Sequence, residues 1–73
     1  MLTEREVSML EFERQWWRNP ALKNERIRQE FGVSPIRYFQ QLNALISRPD
    51  ALDFDPTLVR TLLRRRDGRE AGE

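Results

Sequence analysis

"RQEFGVSPIRYFQQL", Arg28 to Leu42, is the stretch whose reading decides the fold. Its first residues close a helix at Phe31. Gly32 then stands where a helix ends in left-handed backbone, a conformation glycine adopts without a side-chain penalty. Ser34 followed by Pro35 reads as an N-cap with proline at the first helical position. A tight turn between two packed helices wants glycine near its start, a small or apolar residue next, and apolar residues on the second helix. Gly32, Val33, Tyr38 and Leu42 meet those needs, so the spacing predicts helix, short turn, helix. The second helix, "PIRYFQQLNALISR", places Tyr38, Phe39, Leu42, Leu45 and Ile46 on one side. Ile36, Arg37, Gln40, Gln41, Ala44, Ser47 and Arg48 fall on the other.

Working outward toward the N-terminus, "KNERIRQEF" is a short polar helix anchored by Leu22, Ile27 and Phe31. Before it, "TERE" at Thr3 to Glu6 has the spacing of a capping box, which starts a first helix. That helix is expected to run through "EVSMLEFERQWWR" and to stop before Asn19-Pro20, because proline disfavours helical backbone in the residue preceding it. Val7, Leu10 and Trp17 form one apolar stripe on it, and Met9, Phe12 and Trp16 form a second beside the first. The arc is wider than one partner helix needs, so either two helices of the same chain cover it or part of it meets a second protomer.

Toward the C-terminus, "RPDALDFDP" reads as a connector in which Leu52 and Phe54 plug the core. Asp55-Pro56 repeats the cap-then-proline order and opens a fourth helix, "PTLVRTLLRR", with Leu58, Val59, Leu62 and Leu63 as its apolar face. The tail "RDGREAGE" lacks an apolar anchor and is expected to be flexible. The chain is thus expected to be all-α, a small four-helix domain over residues 1–66 containing a helix-turn-helix, with a disordered tail over residues 67–73.

Composition narrows the function classes. The 73 residues contain no cysteine and no histidine. That removes disulfides, thiolate metal sites and the usual general base, so neither an enzyme nor a metal or cofactor site is expected. No apolar run approaches the roughly 20 residues that span a bilayer, and "MLTEREVSML" is too acidic for a secretory signal, so no membrane association and a cytoplasmic location are expected. The formal net charge is +1. Its distribution is uneven: residues 1–34 hold six Lys/Arg against six Glu, whereas residues 57–69 hold five Arg against Asp67 alone.

A reading helix needs an outward face that hydrogen-bonds to base edges. Arg37, Gln40 and Gln41 supply such groups, with Ala44 beside them; arginine suits guanine and glutamine suits adenine in the major groove of double-stranded DNA. Lys23, Ser34, Arg48 and the run Arg64, Arg65 and Arg66 are the candidate phosphate contacts. The plain alternatives are a solvated polar face on α-helical packing and, for the arginine run, complementation of a helix dipole. Trp16 and Trp17 are read either as core or as rings at a protein interface. One residue departs from the bacterial helix-turn-helix pattern: Arg28, four before the turn glycine, stands where a small residue usually lets the helices approach.

"MLTERE", "LEFERQWW" and "YFQQLNALI" followed by "RPDAL" resemble a family of short actinobacterial proteins catalogued as a domain of unknown function and regarded as helix-turn-helix-like. The resemblance covers roughly Met1 to Leu63. It implies an all-helical fold and a role in transcription, and it brings no catalytic residue or cofactor. The expected function is therefore a small DNA-binding protein, a transcriptional regulator or a nucleoid-associated protein, with a homodimer through the spare stripe of the first helix. The alternative is an adaptor that docks on a protein of the transcription machinery without touching DNA.

Overall fold

A computed structural model describes residues 1–15 and 17–72, with side chains described through residue 66. Among the described residues the chain is all-helical, with five helices: α1 Glu4–Glu13, α2 Pro20–Phe31, α3 Pro35–Ile46, α4 Pro49–Phe54 and α5 Pro56–Gly72. Trp16 and Glu73 lie outside the described residues, as do the side chains of residues 67–72, and with Trp16 the expectation for its ring; in backbone, α5 runs on through the expected tail to Gly72.

The local grammar of the starts is realised in hydrogen bonds. Thr3 Oγ1 accepts from the Glu6 amide at 3.1 Å, and the Thr3 amide donates to Glu6 Oε1 at 2.8 Å, completing the capping box. Asn19 Oδ1 accepts from the amides of Ala21 and Leu22 and caps α2. Gly32 takes the left-handed conformation at φ 68° and ψ 22°, its N–H donating to the Arg28 carbonyl. A Cβ there would meet open space, so the conformation and not crowding is what asks for glycine. Ser34 Oγ accepts from the Arg37 amide at 3.2 Å and starts α3 behind Pro35.

Two boundaries differ from the sequence expectation. α1 stops at Glu13 and not before Asn19. The cause is tertiary: Trp17 turns back, its indole N–H donates to the Phe12 carbonyl at 2.9 Å, and its ring lies 4.9 Å from that of Phe12. A carbonyl that would have extended the helix is taken by a side chain. The connector after α3 is also more than a loop. Pro49 opens the six-residue α4, with Arg48 extended before it, and it is Ala51, fully buried, that enters the core. Leu52 packs partly against that core, whereas Phe54 stays 45% exposed. Asp55 then caps α5 by accepting from the Leu58 amide, and its other oxygen pairs with Arg14 at the end of α1.

The core gathers Met9, Leu10 and Phe12 of α1, Ile27 of α2, Tyr38, Leu42, Leu45 and Ile46 of α3, Ala51, and Leu58, Val59 and Leu62 of α5. Among the described residues of the two apolar stripes, Met9, Leu10 and Phe12 are covered within the chain, and Val7 and Trp17 are half-buried. The crossing of α2 and α3 is made by Ile27 and Phe31, one helical turn apart, with the Phe31 ring 5.2 Å from that of Tyr38. Arg28 points to solvent. The departure noted at Arg28 is thus harmless, because the residue at the crossing is its neighbour Ile27.

Glu6 gives the fold an acid-sensitive element. The Thr3 amide holds its pKa below the ordinary 4.5, helped by Arg48 and opposed by desolvation. A lowered folded-state pKa means that the stabilisation is complete above the unfolded value and fades as pH falls through the folded one. The gap in urea midpoint between the wild type and Glu6→Gln is therefore expected to be full at neutral pH and to close on acidification below about 4.5.

Candidate nucleic-acid interface

The core fixes the rotation of α3. With Tyr38, Leu42, Leu45 and Ile46 turned inward, Ile36, Arg37, Gln40, Asn43, Ala44 and Ser47 are exposed. Among the described residues neither the Arg37 guanidinium nor the Gln40 amide has a hydrogen-bond or charged partner; only the Arg37 main-chain N–H is engaged, with Ser34. Ser34 is exposed at the helix start, its oxygen serving as the cap. Arg37, Gln40 and Ala44 thus share one open polar face.

Gln41 lies at the edge of that face, half-buried, and its Oε1 accepts from Arg5 Nη2 at 3.2 Å. Arg5 also donates to the Phe31 carbonyl at 3.3 Å and stands over the Phe31 ring at 5.5 Å. A shallow groove between α1 and α3 runs past Arg5, Gln41 and Ala44 to Arg48. Arg48 is already neutralised: one guanidinium nitrogen pairs with Glu6 and the other with Asp50, the latter at 2.7 Å. On the opposite flank, α3 and α5 form a second shallow depression that brings Arg65 and Arg66 beside Phe39 and Asn43. Arg64 is exposed.

Lys23 is not a surface cation. Its Nζ lies 2.8 Å from Glu13 Oε1, with side chains 18% and 5% exposed, and 5.1 Å from the Phe39 ring centre. The second oxygen of Glu13 accepts from the Tyr38 hydroxyl at 2.6 Å. Burial, reinforced by that carboxylate, pushes the Tyr38 phenol above its usual range. Glu13, Lys23 and Tyr38 therefore form a buried polar tie between α1, α2 and α3. Trp17 is half-buried against Phe12 and belongs to the core's edge.

The structure unites Arg37, Gln40 and Ala44, sets Gln41 against Arg5, and draws Arg65 and Arg66 to the other flank. It withdraws Lys23 and Arg48 into ion pairs. Sequence reasoning missed Arg5 and Glu13, whose partners lie 36, 10 and 25 positions away, beyond the reach of helical spacing. Among the described residues no cluster of three or more acidic, histidine or cysteine side chains is placed to hold a metal ion, and no helix is long and apolar enough to cross a membrane.

Fold and surface together define a small all-helical domain whose third helix presents an open polar face. The chain belongs to the family described as "Protein of unknown function (DUF3263)", whose model matches residues 1–72. No curated protein and no solved structure matches the chain.

Proposed function

We propose that this chain is a small double-stranded-DNA-binding protein, a transcriptional regulator or nucleoid-associated protein that lays α3 in the major groove. One observation carries the reading: the open face of Arg37, Gln40 and Ala44 is bordered by arginines on both sides, Arg5 on one and Arg65 and Arg66 on the other. Side chains on the face suit base edges, and the flanking cations and Ser34 suit the phosphates on either side of a groove. Arg64 extends the basic end of α5. Lys23 and Arg48 would have to abandon carboxylates to reach a phosphate, so they are left out of the contact set. A homodimer, if DNA recruits two copies, finds Met9, Leu10 and Phe12 of the α1 stripes already buried and would use the shallow patch of Met1, Leu2, Val7 and Phe54.

A second reading, a protein adaptor of the transcription machinery, is favoured by the exposure of Leu22, Ile36 and Phe39 and by the near-neutral total charge. Fluorescence anisotropy of a labelled mixed-sequence duplex at about 50 and 200 mM salt separates the two. Under the DNA reading, micromolar binding at low salt weakens steeply at high salt. Arg37→Ala with Gln40→Ala then lowers affinity for a preferred site at least about tenfold, without changing the circular dichroism, since each good base contact contributes about 1–3 kcal/mol. Absence of binding at about 100 micromolar protein in low salt would sink the DNA reading, because phosphate neutralisation alone gives dissociation constants in or below that range.

A further inference from the structure

We propose that Ile36 reads a thymine, by contact with its 5-methyl group, next to the base read by Arg37; the inference rests on the DNA-binding reading above.

Ile36 is 74% exposed, although the chain buries almost every other large aliphatic residue of α3. It stands outside the hydrophobic core and outside the ring of apolar residues packed around it. It contributes nothing to holding the helix either, since β-branched isoleucine is a poorer helix former than alanine or glutamine at an exposed position. A single exposed isoleucine is ordinary on a surface. What distinguishes this one is its place. It is the second residue of α3, beside Arg37 and one turn before Gln40, at the end of a reading helix that approaches base edges most closely.

The chemistry of the groove supplies a partner for an apolar tip there. Of the four bases, only thymine offers a methyl group to the major groove, and aliphatic side chains contact it. Arg37 and Gln40 are chemically suited to hydrogen-bonding edges, which leaves Ile36 as the member of the face suited to the methyl. Consecutive helix residues rise only about 1.5 Å along the axis and turn about 100° around it, so the Ile36 and Arg37 tips diverge from one level of α3 and can reach neighbouring base pairs. Phe39, also partly exposed, is a weaker candidate, because its ring is already held by Tyr38 at 5.2 Å and by Lys23 at 5.1 Å.

The experiment begins with a random-sequence duplex pool selected by the full chain. The best duplex is then remade with deoxyuridine replacing each thymine in turn, which deletes one methyl and keeps every hydrogen-bonding group. Loss of one buried methyl contact corresponds to about a fourfold weakening. The expected result is that loss at one thymine, adjacent to the pair whose recognition disappears in Arg37→Ala. Ile36→Ser, folded by circular dichroism, binds the thymine and uracil duplexes equally. The inference is overturned, with DNA binding intact, if no thymine-to-uracil change weakens the wild type, if Ile36→Ser keeps the full discrimination, or if selection enriches no sequence. Failure of the wild type to bind any duplex at low salt overturns the DNA-binding reading and this inference together.

Discussion

Replacing Lys23 by methionine is expected to remove about 3 kcal/mol of folding stability, a large part of what a domain of this size holds. In the native chain the ammonium lies 2.8 Å from a carboxylate that is 5% exposed. Without it, Glu13 keeps among the described residues only the Tyr38 hydroxyl, which donates at 2.6 Å. Stranding a buried charge costs roughly 3–5 kcal/mol, and the 18% exposure of the lysine end places the expectation at the lower edge of that range. Methionine keeps an unbranched side chain one atom shorter, which retains most of the volume beside Phe39, so the variant reports chiefly lost charge. A urea titration followed by circular dichroism measures the shift. A loss below about 1 kcal/mol would mean that the pair behaves as a solvated surface ion pair.

Removing all three polar partners tests the same account from the other side. Glu13→Leu, Lys23→Met and Tyr38→Phe together leave no stranded donor or acceptor. Apolar replacement of a whole buried pair is often neutral or favourable. The triple variant is therefore expected to be more stable than Lys23→Met alone. If it is less stable by the sum of the single effects, the three groups are not one unit.

What the sequence made legible was grammar confined to a few neighbouring residues. The capping box of Thr3 and Glu6, the left-handed Gly32 and the Ser34-Pro35 start each depend on contacts within four positions, and each is present. The inward face of α3 was legible from apolar residues at helical spacing: of the five expected there Tyr38, Leu42, Leu45 and Ile46 are buried, and Phe39, at the edge, stays 37% exposed. Where a distant side chain decides the outcome, spacing gave no warning. The residues after Glu13 are compatible with helix, yet α1 ends there with the Phe12 carbonyl accepting both the Gln15 amide and the indole of Trp17. Lys23 reads as a surface cation until Glu13 arrives from α1, and Arg48 until Glu6 arrives from α1 to join its near neighbour Asp50. α4 was hidden because its six residues are too few for a periodic pattern, though Pro49 and Pro56 mark both of its borders.

Phe12→Ala is expected to leave the chain largely unfolded at room temperature. Phe12 is 2% exposed and touches an aromatic ring from each neighbouring segment: Trp17 at 4.9 Å, Phe31 at 5.4 Å and Tyr38 at 5.8 Å between centres. The three rings cannot all close on the space it leaves. Trp17 is tied to the Phe12 main-chain carbonyl, and Tyr38 is tied to Glu13 through its hydroxyl. A cavity that cannot collapse puts the cost near the upper part of the roughly 3–5 kcal/mol measured for such truncations. A domain below about 80 residues seldom has more than about 3–5 kcal/mol in total. Phe12→Leu supplies the calibration: it fills most of the volume, and losing the aromatic contacts costs about 1–2 kcal/mol. It should keep a cooperative helical transition at lower urea while Phe12→Ala shows none. A cooperative Phe12→Ala with a loss under about 1 kcal/mol would place the centre of the core elsewhere. The aliphatic cluster of Leu42, Leu45, Val59 and Leu62 would then be holding α3 against α5 without help from the rings.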